Sequence, residues 1–323
     1  MKVGVIGVGK LGAIHCQTLA QLPDVELAGV HDILPARCAE IEKKYRCQCY
    51  INPQDLIEAV DAVAIAVPTS DHLEIARLAL ERRRPILIEK PIARTVEQAE
   101  EMVRLAAEKG VVLQVGHIER FNPAIRAIDH MTLEPMFIES HRLAPFDPRG
   151  TDVAVVLDLM IHDIDILLSL VRHDPVQIDA NGVAVVSEAV DIANARIRFA
   201  NGCVANVTAS RISQRKMRKM RLFQRDAYIS IDFLQRLSEV FRIVDGRSGG
   251  QAAVVLGQIE QGSRARDIIY DRPAVPADDG MSAEWRSFIA SIRDGTAPQV
   301  SGEDGLAALK VACEIIHIIK SGS

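Results

Sequence analysis

Val3-Gly4-Val5-Ile6-Gly7-Val8-Gly9-Lys10-Leu11-Gly12 is a short apolar run that turns at once into G-x-G-x-x-G at Gly7, Gly9 and Gly12. The run reads as a buried strand, and each glycine has its own task. Gly7 permits a tight turn, Gly9 lets backbone approach a pyrophosphate, and Gly12 lets the next helix pack against the strand. That helix, expected over residues 10–21, aims its first amides and its partial positive charge at phosphates. Glycine triplets at this spacing also arise by chance, so the context carries the reading. A second strand pattern, 25–31, ends at Asp32, which follows Gly12 by 20 residues. A carboxylate there hydrogen-bonds a ribose 2′-hydroxyl and repels a 2′-phosphate. Gly7, Val8, Gly9, Lys10, Leu11, Gly12 and Asp32 are therefore expected to bind NAD. Arg37, a basic side chain just past the same strand, keeps NADP as the alternative.

Outward from this turn, strand and helix patterns alternate with short connections. Helices are expected over 35–44, 53–60, 71–83 (Asp71 as N-cap) and 95–110, where Thr95-x-x-Gln98 is a capping box. Strands are expected over 47–51, 61–67, 85–89 and 111–116. Such alternation predicts an N-terminal Rossmann domain, a doubly wound parallel sheet spanning 1–119. From about residue 120 the character changes. Asn122 and Pro123 open a helix to 131, and strand-like alternation follows over 136–142, 176–186, 192–199, 204–213, 222–232 and 239–245. Ala200-Asn201-Gly202 marks a hairpin. Consecutive strands predict a C-terminal α+β domain, 120–323, on a largely antiparallel open sheet. Residues 246–279 read as loops, and helices over 282–293 and 302–320 end the chain, the last able to pack back on the first domain.

With 323 residues, 48% hydrophobic and 25% charged, the chain can bury two ordinary cores. A net charge of −5 disfavours nucleic acid as a bulk partner. The first strand pattern begins at Lys2, which leaves no signal-peptide pattern, and no apolar run is long enough to span a bilayer. A cytoplasmic protein without a membrane partner is expected. Its six cysteines show no disulfide framework, and Cys47-x-Cys49 lacks partner ligands at metal spacing. Reduced thiols are expected.

In a doubly wound sheet ligands sit beyond the carboxyl ends of the strands. Three such places carry polar residues: Pro68, Thr69 and His72; Glu89-Lys90-Pro91; and His117 to Arg120. Lys90, between Glu89 and a proline, is positioned to hydrogen-bond a reacting hydroxyl or to serve as a base, unless it merely snorkels to solvent. Pro68, Thr69, His72, Glu89 and Lys90 complete the expected cofactor site.

Residues 153–170 form an apolar run that reads as a buried helix, yet it holds Asp158, His162 and Asp165 at offsets of four and three. Those offsets share one stripe, with Asp163 pointing elsewhere. Buried charges must pair or face a wet cavity. Three readings stay open: a self-satisfied Asp–His–Asp network, a proton carrier with His162 oriented by a carboxylate, or a metal held by Asp158, His162 and His141. Hydride chemistry with a lysine at hand needs no metal, so none is expected. The basic run from Arg211 to Arg221 is either a solvated strand face or a diphosphate site.

Together these residues resemble the Gfo/Idh/MocA oxidoreductases over essentially the whole chain. The resemblance rests on Gly7–Gly12, Glu89-Lys90-Pro91, the D-x-x-x-H-x-x-D pattern of Asp158, His162 and Asp165, and the tail Gly302-Glu-Asp-Gly-Leu-Ala-Ala-Leu. It implies that Lys90, Asp158 and His162 are the catalytic residues, bracketing a carbinol carbon that gives hydride to NAD. Gly116-His117-Ile-Glu-Arg120-Phe-Asn-Pro and His141-Arg142-Leu-Ala-Pro-Phe-Asp-Pro-Arg-Gly-Thr-Asp-Val are similar to the branch that oxidises the 3-hydroxyl of UDP-N-acetylglucosamine, ahead of an aminotransferase in lipid A synthesis. On that reading His117, Arg120, Arg142, Asp158, His162 and Arg211 bind substrate, and the protein is a homodimer or homotetramer through its C-terminal sheet. Where many members carry glycines, this chain has Val153 to Val156 and Leu159-Met160-Ile161, so the pocket floor is expected to differ from that of polyol dehydrogenases. A dehydrogenase of a free polyol or aldose is the alternative enzyme. A non-catalytic NAD-binding sensor is the alternative of another class.

Overall fold

The computed structural model describes residues 1–147, 153–245, 254–261 and 264–322, in two compact units. The first unit contains β1 (Lys2–Ile6), α1 (Lys10–Leu19), β2 (Glu26–His31), α2 (Pro35–Tyr45), β3 (Gln48–Cys49), α3 (Pro53–Ala59), β4 (Ala62–Ile65), α4 (His72–Glu81), β5 (Ile86–Glu89), α5 (Val96–Lys109) and β6 (Leu113–Gly116). The strands pair in parallel in the order β3-β2-β1-β4-β5-β6. Every residue of β4, β5 and β6 is buried, as a parallel sheet covered on both faces requires. The order reverses between β1 and β4, so the crevice for a ligand opens at the ends of those two strands.

Local chemistry accounts for some of the element ends. Thr95 accepts a hydrogen bond from the Gln98 amide to start α5, and Gly110, at φ +64°, ends it in the left-handed conformation. Asp71 occupies the expected N-cap position of α4, but its side chain accepts no helix amide. Its carboxylate takes the Ser70 hydroxyl instead, inside a 3-10 turn over Thr69–Asp71. The expectation of six reduced thiols is corrected at one pair. Cys38 on α2 and Cys49 on β3 form a disulfide, their Cα atoms 5.7 Å apart.

The second unit begins with α6 (Pro123–Arg126), where the Asn122 side chain accepts from the Ala124 amide. This helix is a single turn, far shorter than the expected 122–131. β7 (Phe137–Leu143) follows, then a π-helical turn at Val156–Met160 that runs directly into α7 (Ile161–Val171). Eight strands come next: β8 (Pro175–Val183), β9 (Ile192–Phe199), β10 (Val204–Ser210), β11 (Met217–Phe223), β12 (Ala227–Asp232), β13 (Leu237–Asp245), β14 (Val254–Gln261) and β15 (Arg264–Asp271). They make a sheet in the order β14-β15-β13-β12-β11-β7-β10-β9-β8, antiparallel except between β7 and β10. The expected strand over 222–232 is two strands, because Gln224 to Asp226 turn the chain back. Residues 246–279, expected to be loops, contain β14 and β15. β15 pairs with β13 and β14 with β15, and this pairing makes strands of residues whose own pattern shows little periodicity. The hairpin at 200–202 is present, with Gly202 at φ +87°.

The chain ends in α8 (Gly280–Asp294) and α9 (Gly302–Ser321). Residues 280–310 group with the first unit and the remainder of α9 with the second, so the first unit is built from 1–118 and a returning segment. Met281, Trp285 and Phe288 of α8 lie in one core with Val3, Val5, Cys16 and Leu87. Among the described residues no helix is long and apolar enough to cross a membrane.

Candidate active site

At the carboxyl end of β1 the glycines behave as their spacing requires. Gly7 adopts φ +86° and its amide donates to His31 O at 2.8 Å. A Cβ on Gly12 would sit 1.8 Å from the Gly7 carbonyl oxygen, so α1 can approach the turn only through glycine. A Cβ on Gly9 would meet nothing closer than Arg37 Nη1, at 3.8 Å. Gly9 therefore leaves open the space that a pyrophosphate would fill. Lys10 and Leu11, beside it, are exposed.

Asp32 does more than its spacing implied. Its Oδ2 accepts the Val8 amide at 2.8 Å and its Oδ1 the Leu34 amide at 2.9 Å. The carboxylate thus ties the end of β2 to the glycine turn and keeps its other lone pairs for a ribose hydroxyl.

Beyond β4, Pro68 is exposed and Thr69 half-buried, while His72 is turned inside. Its two ring nitrogens lie 3.1 Å from the carbonyl oxygens of Ile92 and Val67. His72 was expected at the cofactor. It instead staples the loop after β4 to the loop after β5, and burial lowers its pKa against the opposing pull of those carbonyls.

Lys90 follows β5 and is half-buried. Glu89 beneath it is buried, with Oε1 2.8 Å from His15 Nε2. Burial pushes the Glu89 carboxyl up. The His15 hydrogen bond, the charge of Lys90 and the Lys90 backbone N–H outweigh that and hold it below the ordinary value. Gly116 makes room for this carboxylate, because a Cβ there would lie 3.2 Å from Oε2. His117, just past β6, is wholly buried.

In the second unit Asp158 lies on the π-helical turn and His162 on the first turn of α7, both half-buried. π-Helical turns inside helices cluster at functional sites. Asp165 does not join them. It is 1% exposed and binds Arg120 through two hydrogen bonds of 2.8 and 3.0 Å. Asp163, read from the sequence as pointing elsewhere, anchors a second cluster. It accepts from Arg142 at 2.6 and 3.2 Å and from the Ser140 hydroxyl at 2.8 Å. Glu119 completes the cluster, accepting from Arg142 at 2.8 Å and Arg218 at 2.9 Å. Burial raises the Glu119 carboxyl, but these two guanidiniums outweigh it.

Several expected substrate contacts therefore face inward. Arg142 is 2% exposed, with its guanidinium on Asp163 and Glu119. Arg211 is buried, directed at the carbonyls of Val153 and Val190 and at Asp191. Of the basic run, Arg218, Lys219 and Arg221 pair with Glu119, Asp232 and Glu139, while Arg215 and Lys216 are exposed. His141 alternates with Arg142 along β7 and so lies on the opposite face of the sheet from the Asp163 cluster, which separates it from the metal set considered above. Among the described residues no group of three or more His, Cys, Asp or Glu is placed to hold a metal ion. The motif beginning at His141 runs through 148–152, outside the described residues.

Comparisons with known proteins agree with this architecture. Residues 1–117 match the family described as oxidoreductase family, NAD-binding Rossmann fold, and residues 136–230 match the GFO/IDH/MocA C-terminal domain. The chain is 36% identical over 316 residues to the UDP-N-acetylglucosamine 3-dehydrogenase of Acidithiobacillus ferrooxidans, spanning 98% of this chain and 96% of that one. A solved structure of that enzyme matches with a TM-score of 0.88 at 34% identity, covering 99% of this chain and 98% of the other. Myo-inositol 2-dehydrogenase of Thermotoga maritima is 25% identical over 328 residues, 96% of this chain and 93% of its own. The scyllo-inositol dehydrogenase of Lactobacillus casei, solved with NAD(H) and scyllo-inositol, shares the fold at a TM-score of 0.79 and 18% identity, covering 100% of this chain and 98% of its own. The protein described here is an oxidoreductase with an NAD-binding Rossmann unit. It belongs to the Gfo/Idh/MocA family. The open space at Gly9, the close approach at Gly12 and the remaining acceptor capacity of Asp32 fit NAD.

Proposed function

We propose that this enzyme oxidises the 3-hydroxyl of UDP-N-acetylglucosamine to the 3-keto sugar, with NAD as oxidant. The observation that carries the reading is the 36% identity to a UDP-N-acetylglucosamine 3-dehydrogenase across 98% of the chain, against 25% to a myo-inositol dehydrogenase over a similar span.

Bound nicotinamide supplies the hydride acceptor. The chain supplies proton handling and charge. His162, half-buried on α7, takes the hydroxyl proton, and Asp158 orients its imidazole. Lys90, with the Glu89 carboxylate beside it to favour the ammonium, steadies the developing alkoxide. Gly7 to Gly12 and Asp32 hold the dinucleotide, with Pro68, Thr69 and Glu89 flanking it. His117 and Arg120 are the proposed sugar-nucleotide contacts, joined by the exposed Arg215 and Lys216 for diphosphate. The 3-keto product suits an aminotransferase that would make the diamino sugar of lipid A, chemistry that belongs in the cytoplasm, where NAD and nucleotide sugars are kept.

The same reading includes a homo-oligomer. One row of the second unit's sheet carries Phe137, Phe223, Tyr228, Phe241 and Tyr270 in register across five strands, successive ring centroids 5.0–5.9 Å apart. Phe223 is 36% exposed. A second copy of the chain is the proposed cover for this face.

The test is NADH formation with UDP-N-acetylglucosamine and with myo-inositol as separate substrates. Turnover of the nucleotide sugar is expected. Turnover confined to the polyol would sink the proposal in favour of an inositol-type enzyme, and tight NADH binding without turnover of either would favour a sensor.

A further inference from the structure

Beneath Lys90 lies a chain of buried polar groups, of which the chemistry above uses only Glu89, all within the first unit. The indole Nε1 of Trp285 lies 3.0 Å from His15 Nδ1, and His15 Nε2 lies 2.8 Å from Glu89 Oε1. Trp285 and His15 are fully buried and Glu89 is 7% exposed. An indole nitrogen can only donate. His15 Nδ1 must therefore accept, which puts the ring hydrogen on Nε2, where it donates to the Glu89 carboxylate. Glu89 in turn accepts the Lys90 backbone N–H and feels the charge of the Lys90 side chain.

We propose that Trp285 is a positioning residue for Lys90, acting through the tautomer of His15 and the carboxylate of Glu89. The inference rests on the role of Lys90 given above and adds what holds that lysine in its working state. A buried carboxyl tends to take up a proton. At Glu89 the His15 hydrogen bond is the leading influence against that, so the indole, by fixing which nitrogen of His15 donates, keeps a negative charge beside Lys90.

Glu284, the neighbour of Trp285 on α8, sharpens the assignment. It is 0% exposed, and among the described residues its two carboxyl oxygens have no hydrogen-bond partner. Burial and the charge of Glu89 both push its carboxyl well above the ordinary range. Of these two buried carboxyls, Glu89 is held below its ordinary value and Glu284 above it. The groups that act on the Glu89 carboxylate are thus His15 from α1, His72 from α4, Glu284 from α8 and Lys90 itself.

The experiment measures Lys90 directly and needs no substrate. The full chain is labelled with acetic anhydride at a series of pH values, and the Lys90 peptide is quantified by mass spectrometry. Glu89→Gln should favour the free amine of Lys90, so that near neutral pH it labels about tenfold faster. Trp285→Phe keeps the ring but removes the N–H, and should move Lys90 the same way by about threefold. In a His15→Gln background, where the side-chain amide donates without help from the indole, Trp285→Phe should have no further effect. Glu284→Gln should leave Lys90 labelling unchanged. His15→Leu carries the same expectation as Trp285→Phe and stands in for it if that variant does not fold. Unchanged labelling in folded Trp285→Phe or His15→Leu would overturn the proposal. So would a Trp285→Phe effect that persists with Gln at position 15, or a Glu284→Gln shift as large as that of Glu89→Gln. Loss of turnover in Lys90→Ala tests the functional reading separately, since labelling can succeed while that reading fails.

Discussion

Glu284 and Glu89 are two buried carboxyls whose pKa values the fold drives in opposite directions. His15 donates to Glu89, whereas Glu284 has no hydrogen-bond partner among the described residues and is pushed up by burial and by Glu89 itself. The two acids come from segments far apart in the chain, β5 and α8, and the arrangement predicts how stability responds to pH.

Glu284 has a folded-state pKa raised well above its ordinary 4.5. Its contribution to stability is therefore fully present below pH 4.5 and lost as pH rises toward the folded value. Glu284→Gln removes that loss. Thermal melts should show the variant more stable than the wild type at pH 7–8, with the gap closing towards pH 4. A gap that stays constant with pH would disprove the assignment.

His72 titrates in the other direction. Its folded pKa lies below the ordinary 6.5, so the stability linked to it is present above pH 6.5 and lost as pH falls. Denaturant midpoints measured from pH 7.5 to 5 should fall more steeply for the wild type than for His72→Gln. Parallel curves would contradict the staple.

Arg142 is bound by Asp163 and Glu119 within the second unit, so its replacement leaves buried carboxylates without their cation. Arg142→Leu should cost about 3–5 kcal/mol, read from urea midpoints. A well-folded Arg142→Leu whose only defect is a raised KM would return this arginine to the substrate.

The glycine cradle separates into two behaviours. Gly12→Ala forces a Cβ into the Gly7 carbonyl and should lower the melting temperature of the free protein. Gly9→Ala, with Arg37 Nη1 3.8 Å away as its nearest neighbour, should leave melting unchanged and weaken NADH binding measured by fluorescence titration. Equal effects on both readouts would remove the distinction.

For the proposed chemistry, Lys90→Ala and His162→Ala should each lower kcat by roughly 10²–10⁴-fold while NADH still binds. Near-wild-type turnover in either variant would remove that residue from the reaction.

Most of the first unit was legible in the primary structure, because its signals are local. The glycine spacing, the continuous apolar strands, the Thr95 cap and the Lys-Pro after β5 each depend on a few neighbouring residues. The second unit was less legible. β14 and β15 are strands through partners rather than propensity, and the turn at Gln224 to Asp226 breaks what alternation alone reads as one strand. Asp163 does point away from the stripe of Asp158 and His162, but helical offsets say which residues share a stripe, not which of them meets an arginine from β7. His15 and Trp285 gave only a faint signal, a polar residue on the packed face of α1 and the single tryptophan of the chain.

The order of residues by itself determined the dinucleotide cradle, the two-part architecture and the identity of the reactive candidates, since periodicity and short spacings encode them. Only the tertiary structure decided which charges are spent inside. Arg142, Arg120, Arg211 and His72 look available in a string of letters and are engaged in the fold, because a buried charge must find its partner wherever the chain brings one, and that partner can be 45 or more residues away.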